Sequence, residues 1–308
     1  LSPIDFGERT RAFLRVQDGC DAGCTFCIIP RIRGRSTSLS ADQAVERACD
    51  LLDAGYREII LTGIHLGMYG HDRPGELPSL AGLVDAIHEA ATVRGHAGGF
   101  RLRLSSIEPQ EIDDALIDRI AAGRLVPHLH IPLQSGSDAV LTAMNRTYRA
   151  HEYDAVLSRL TARIDPIGLG ADVIVGFPGE TDADFQATHD FIAQRPFTYL
   201  HVFPFSPRPG TRAASLPGRP SGDVVDDRSA RLRALSDQKR RAFAQRFVGR
   251  EVDVLVEEPA GEDGWEGWSE HYVRIHLDSS AGDDLTGLLL RVPAPACSGV
   301  DEPLTKGQ

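Results

Sequence analysis

Six short apolar runs alternate with helical stretches through the first two-thirds of the chain, and polar, glycine-rich or proline-rich turns follow them. Ala12 to Val16 is the first run, and Glu58 to Thr62, ending in Gly63, is the second. Phe100 to Leu104 closes on Ser105 and Ser106, and His128 to Leu133 closes on Gln134-Ser135-Gly136-Ser137. Leu169 to Val175 runs into Gly176-Phe177-Pro178-Gly179, and Tyr199 to Phe203 is the sixth. Helical patterning covers Ser40 to Ala54, Leu80 to Ala91, Pro109 to Ala122, Ala150 to Arg163 and Asp182 to Gln194. Ser40 suits a helix N-cap and Gly55 a helix stop. Strands that alternate with helices require a parallel sheet with right-handed crossovers. Such sheets carry ligands at the C-terminal strand ends, so the chemistry is expected on one rim. Ala12 to Phe205 is short for eight units. The expected fold class is therefore α/β, an open six-stranded (β/α)6 partial TIM barrel.

The composition changes after Pro204. Phe205 to Pro220 is rich in proline and glycine, as connecting chain is. A long arginine-rich helix is expected over Asp223 to Phe247, followed by strands at Val252 to Val256, His271 to Ile275 and Leu288 to Val292. These fit a small C-terminal antiparallel β-barrel. The expected domains are the partial barrel at 1–222, a basic linking helix at 223–249 and the small barrel with an irregular tail at 250–308.

The net charge of -11 bears on possible partners, and it is unevenly spread. Glu251 to Gln308 holds thirteen acidic residues against three basic ones, Arg274, Arg291 and Lys306. The remainder is close to neutral, with Arg31, Arg33 and Arg35 in one cluster and eight basic residues between Arg228 and Arg250 in another. Overall acidity therefore does not exclude RNA, although a solvated helix face or internal pairing explains such clusters equally well. No stretch approaches the roughly 20 apolar residues that span a bilayer, and Leu1 to Thr10 has no signal-peptide pattern. The chain opens on Leu1 rather than Met, as a piece of a longer protein would.

Five cysteines, three of them within Cys20-Asp21-Ala22-Gly23-Cys24-Thr25-Phe26-Cys27, make a poor disulfide framework. Ligation in a reducing compartment fits better, and the cytoplasm is the expected location. A tight loop can aim three thiolates at one centre, with Gly23 easing the turn. Structural zinc takes four protein ligands, and a fourth would have to come from a distant residue such as His65 or Cys297. A 4Fe–4S cluster held by three cysteines leaves one iron open. Cys49 falls inside an expected helix as a buried apolar residue.

The Cys-X3-Cys-X2-Cys spacing, with Phe26 before the last cysteine, resembles the radical S-adenosylmethionine (SAM) superfamily. Longer runs are similar to the methylthiotransferases within it. They include Phe26-Cys27-Ile28-Ile29-Pro30 with Arg33-Gly34-Arg35, Leu61-Thr62-Gly63-Ile64-His65, and Ser105-Ser106-Ile107-Glu108-Pro109. His128 to Ser137, Met144-Asn145-Arg146, Asp172 to Thr181 and His201 to Thr211 carry the same resemblance, which covers roughly Arg11 to Val256. Ile64-His65 and the Ser-Ser-Ile-Glu-Pro run are most similar to the tRNA branch acting on threonylcarbamoyladenosine beside the anticodon. The isopentenyladenosine branch and a branch modifying a ribosomal-protein aspartate are the near alternatives. A non-catalytic RNA-binding protein with a structural metal is the distant one.

The resemblance implies reductive cleavage of SAM at a 4Fe–4S cluster on Cys20, Cys24 and Cys27, with no other catalytic residue. Hydrogen abstraction then allows a methylthio group to be placed on ring carbon 2 of the adenosine. It implies tRNA as partner and a reducing electron donor such as a flavodoxin or ferredoxin. For SAM it points to Gly63, through close backbone approach, and to Ser106, Glu108, Gln134, Ser135 and Asp172 as polar groups at strand ends. Arg146 would grip the SAM carboxylate, and Phe177-Pro178-Gly179 would shape the adenine edge. His65, His128 and His130 are expected as hydrogen-bonding rim or core residues rather than metal ligands. Full-length methylthiotransferases carry three further cysteines for a second 4Fe–4S cluster in an N-terminal domain. This chain by itself is therefore expected to cleave SAM without transferring sulfur. Ser269-Glu270-His271-Tyr272-Val273-Arg274 resembles the family's small RNA-binding (TRAM-like) domain. Because that segment is acidic, RNA contact is expected at Arg31, Arg33 and Arg35 and at Arg240 and Arg241 on the long helix.

Overall fold

The computed structural model describes residues 10–260, 264–278 and 284–295; Cys297 lies outside them. Six parallel strands follow one another in chain order: Arg11–Arg15, Glu58–Thr62, Arg101–Leu104, His128–His130, Gly168–Val175 and Tyr199–Pro204. The first three pair in register, as do the last three, and a Ser106–His130 bridge joins the two sets. Side chains alternate across this sheet. Leu169, Ala171, Val173 and Val175 of the fifth strand enter the main apolar core, as do Ile59 and Leu61 of the second. Gly168, Gly170 and Asp172 point to the opposite face. There Gly170 is required by space, since a Cβ would lie 2.2 Å from the Tyr199 ring.

The helices start where cap residues dictate. Ser40 accepts the Gln43 N–H at 3.3 Å to open Ala41–Asp53, and Gly55, at φ +97°, follows its end. The helix expected at Pro109 to Ala122 is instead two pieces, a single turn Pro109–Glu111 and a helix Asp114–Ala121. Asp113 breaks the run because its extended backbone lets its carboxylate cap Leu116. The fourth strand stops at His130, short of Leu133. Pro132 has no N–H for a ladder, and its carbonyl accepts the Tyr148 hydroxyl at 2.8 Å. The helix Asp138–Ala143 was not foreseen.

The long helix Gly222–Gln245 runs from rim to base: Val225 approaches Gly176 at the end of the fifth strand, and Ser236 bonds to Leu200 at the start of the sixth. Beyond it the described residues form a four-stranded antiparallel sheet, ordered Arg274–Asp278, Gly264–Ser269, Glu251–Pro259, Leu289–Pro293. Gly264–Ser269 was missed, because its two tryptophans are interrupted by Glu266 and Gly267. His271 and Tyr272 belong to a turn and not to a strand, with Tyr272 at φ +62°.

This sheet packs against the N-terminal ends of the parallel strands, opposite the rim. Arg101 donates to the carbonyls of Asp253 and Trp268, both at 2.8 Å, and Arg103 to those of Ser269 and Glu270 at 3.2 and 3.3 Å. Tyr272 stacks on His128 and on Trp268, with centroids 4.6 and 4.4 Å apart. Both arginines also grip the fully buried Glu58.

Candidate active site

The cysteine loop leaves the first strand and is tied down on every side. Gln17, 1% exposed, donates to the Gly19 carbonyl at 2.9 Å and to the Ser36 hydroxyl at 2.9 Å, and its oxygen accepts the His65 N–H at 2.8 Å. Thr25 donates its N–H to Met144 and its hydroxyl to Ala143, and Asn145 donates to the Gly23 carbonyl at 2.9 Å. Phe26 packs on a small apolar cluster of Val140, Met144, Phe177 and Ala213 beneath the loop. The Met144-Asn145-Arg146 run is therefore a clamp on the cysteine loop.

The sulfurs face hydrogen-bond donors. Ala22 N–H reaches Cys20 Sγ at 3.4 Å, and Arg146 Nη1 reaches Cys24 Sγ at 3.3 Å. His65 sets Nδ1 3.4 Å from Cys20 Sγ and Nε2 2.5 Å from Glu111 Oε1. Burial opposes a charged imidazole here, but Cys20 and Glu111 outweigh it and raise His65 to about 10. The Cys27 thiol is pushed up, chiefly by burial, with Cys24 and Cys20 adding to the effect. A bound metal centre would oppose that rise and favour the thiolate.

A 4Fe–4S cluster fits these thiols better than one zinc ion. Structural zinc takes four protein ligands, and the ring nitrogens of His65, a candidate for the fourth, already lie against Cys20 Sγ and Glu111. Donors around the sulfurs are the means by which proteins tune such clusters. Two buried polar atoms on this rim, Arg146 Nε and Ser105 Oγ, have no partner among the described residues, as expected of groups awaiting a ligand.

Of the residues expected to touch SAM, Gly63, Ser106, Glu108, Gln134, Ser135 and Phe177 follow the ends of parallel strands, Asp172 lies within the fifth strand, and Arg146 follows the helix Asp138–Ala143. Ser106 is exposed on the rim. Glu108 is ion-paired to Arg146, whose guanidinium also lies over the Tyr148 ring. Gln134 sits at φ +62° beside the fifth strand, its N–H on the Asp172 carbonyl at 2.8 Å. Asp172 faces His130 and His201. Ser135 is a correction: it is fully buried, with its hydroxyl spent on Thr188 at 3.0 Å and on the Ser137 N–H, so it anchors a helix. Phe177 is likewise fully buried, leaving only its backbone for a ligand.

Gly63 makes room for Gln17, because a Cβ there would lie 2.7 Å from Gln17 Oε1. Gly63→Ala is therefore expected to displace Gln17 and loosen the cysteine loop, costing about 1–3 kcal/mol; a urea-denaturation midpoint equal to wild type would contradict this. Gln17 and Glu111 were missed by sequence reasoning. The spacing of Glu108 and Glu111, which suits a capping box, was the available signal for the second.

The basic clusters fall at opposite ends. Arg31, Arg33 and Arg35 are exposed near the cysteines, with Arg31 donating to the Gly210 carbonyl at 2.6 Å and Arg33 3.7 Å from Asp18. Arg240, paired with Asp237 at 3.5 Å, and the exposed Arg241 lie towards the base. Much of the long helix's charge is internally paired: Arg228 with Glu180 and Asp182, Arg231 with Asp227, and Arg246 with Asp165.

A family model described as the Radical SAM superfamily matches residues 14–192, more than half of the chain. The chain is 38% identical over 293 residues to the threonylcarbamoyladenosine tRNA methylthiotransferase MtaB of Bacillus subtilis (strain 168), covering 93% of this chain and 63% of that protein. It is 41% identical over 288 residues to the tRNA-2-methylthio-N(6)-dimethylallyladenosine synthase of Cereibacter sphaeroides (strain ATCC 17029 / ATH 2.4.9), covering 92% and 64%. The chain thus spans just under two-thirds of the length of these relatives. The structure of coproporphyrinogen III oxidase (HemN) from Escherichia coli superposes with a TM-score of 0.54 at 16% identity, covering 92% of this chain and 71% of that one, a likeness of fold alone. With its parallel sheet, flanking helices and three-cysteine loop on the rim, the chain belongs to the Radical SAM superfamily.

Proposed function

We propose that this chain is the radical-SAM core of a tRNA methylthiotransferase that acts on threonylcarbamoyladenosine at ring carbon 2. The observation that carries the reading is the cysteine loop itself, clamped by Asn145 and Thr25 and lined by Arg146 and His65. A 4Fe–4S cluster held by Cys20, Cys24 and Cys27 supplies reductive cleavage of SAM when bound. The protein's own part is positioning. Arg146, with its unpaired Nε, would receive the SAM carboxylate; Glu108 is ion-paired to it, and Ser105 and Ser106 at the end of the third strand would offer further polar groups. The backbone around Phe177 borders the same rim, and the apolar cluster under Phe26 keeps water from below.

In this reading the six strands form an open partial barrel at 1–222, the basic helix at 223–249 links it to a TRAM-like domain at 250–308, and Arg31, Arg33 and Arg35 meet tRNA phosphates near the rim. A flavodoxin- or ferredoxin-like donor supplies electrons in the cytoplasm. Among the described residues no helix is long and apolar enough to cross a membrane. Identity does not separate the two adenosine substrates, since the relative acting on dimethylallyladenosine is 41% identical and MtaB 38%. The dimethylallyl (isopentenyl) adenosine is therefore the second reading.

Anaerobic reconstitution with iron and sulfide is expected to give about four irons per chain and, on reduction with SAM, 5′-deoxyadenosine. Cys24→Ser should abolish both. Cys49 is buried in the core and unavailable as a ligand. The 308-residue chain assayed by itself is thus expected to leave tRNA unthiolated. Methylthiolated tRNA would overturn that part, and failure to form 5′-deoxyadenosine would overturn the whole.

A further inference from the structure

We infer that His130, Asp172 and His201 form a second metal site, which takes one divalent transition-metal ion on the face of the parallel sheet opposite the apolar core. His130 ends the fourth strand, Asp172 lies in the fifth and His201 in the sixth. Asp172 and His201 are register partners, and His130 pairs with Gly170, two residues along the same face. The alternation that sends Ala171 and Val173 to the helices thus brings these three side chains together. Among the described residues they are the group of three histidine, cysteine or carboxylate ligands whose donor atoms all lie within 4.8 Å of one another.

The spacing suits one ion. His130 Nε2 is 2.8 Å and His201 Nδ1 3.2 Å from the same oxygen, Asp172 Oδ1. Bonds of about 2.0–2.2 Å meeting at roughly 90–110° separate ligand atoms by about 3.0–3.5 Å, so a small widening admits the ion. Two imidazoles and one carboxylate are the set that leaves open coordination positions for a substrate group. The open side is available here, because His201 keeps 39% and Asp172 24% of its side-chain surface exposed.

An outer layer holds the first ligand. His130 Nδ1 lies 3.1 Å from Tyr199 Oη, which is 3.0 Å from His128 Nε2. Metal-bound histidines characteristically give their second N–H to such a partner. The contact of Nδ1 with Tyr199 leaves Nε2, on the Asp172 side, as the ligand atom, within a frame that Gly170 keeps open for the Tyr199 ring.

Co2+ added anaerobically to the cluster-free chain tests this, because sulfur and nitrogen/oxygen ligation differ in absorption. Thiolate-bound Co2+ gives intense near-ultraviolet charge transfer, whereas an imidazole–carboxylate site gives only weak visible bands. The wild-type chain should show both. His201→Gln, at a partly exposed position that does not threaten folding, and Asp172→Asn should each remove one bound Co2+ per chain and the weak bands, leaving the thiolate band. Cys20→Ser/Cys24→Ser/Cys27→Ser should do the reverse and retain one Co2+. Unchanged stoichiometry in His201→Gln, or no Co2+ bound by a folded triple-serine variant, would overturn the assignment.

Discussion

Glu58→Gln is expected to destabilise the protein by about 3–5 kcal/mol, the cost of removing one partner from a buried ion pair. Glu58 is 0% exposed, and Arg101 and Arg103 are 7% and 2% exposed. Arg103 Nε lies 2.9 Å from one carboxylate oxygen, and Arg101 Nε contacts the other. Glutamine keeps the shape but leaves two guanidinium charges without their counter-ion in the same pocket. The effect has a pH signature. Burial alone pushes the Glu58 carboxyl up, but Arg103 and Arg101 overcome it and bring the group from 4.5 to about 2. A carboxyl depressed in the folded state stabilises fully above its unfolded pKa and loses that contribution as pH falls through its folded one. The gap between wild type and variant in urea unfolding should thus be constant near neutrality and narrow between pH 4.5 and about 2. A gap that stays constant across that window would show that the ion pair is not its source.

Arg146→Ala is expected to act on both stability and cofactor binding. The guanidinium is buried, pairs with Glu108 and donates to Cys24 Sγ at 3.3 Å. Burial pushes the Glu108 carboxyl up and Arg146 is its chief opponent, so removing Arg146 takes away the main group that favours the carboxylate. Loss of the pair should cost about 3 kcal/mol, part of which Glu108→Gln should restore in the double variant, since the two sites are coupled. In the reconstituted chain the same substitution should weaken SAM binding by at least about tenfold. Unchanged affinity by calorimetry, with the stability loss present, would make Arg146 a clamp for the cysteine loop and nothing more.

What could be read from the sequence was what local pattern encodes. The strand–helix alternation and the Ser40 cap depend on neighbours a few residues apart, and both appear, apart from the split at Asp113, the shortened fourth strand and the added helix Asp138–Ala143. Gln17 was not legible, because its importance comes from three contacts converging from Gly19, Ser36 and His65. Ser135 was misread for the opposite reason: its type and strand-end position suit a ligand, yet Thr188, fifty-three residues on, claims its hydroxyl. The eight basic residues near the long helix looked like one surface, but burial and pairing at Arg228 and the run of the helix from rim to base divide them. Asp172 was singled out, while His201, its partner across the sheet, was not, since strand register is a long-range property.

The small sheet is attached to the larger part in a way that has a bearing on how its sequence can vary. Arg101 and Arg103 bond to the carbonyls of Asp253, Trp268, Ser269 and Glu270. Every residue type has a carbonyl, so these four bonds place no demand on which side chains occupy the sheet's side of the seam. The two arginines and the buried glutamate anchor the joint, while the Arg11–Glu257 ion pair and the stacking of Tyr272 on His128 add side-chain contacts from the sheet's side. Away from Glu257 and Tyr272 the sheet's surface chemistry, acidic as here or basic, could therefore change without redesigning the parallel strands above it.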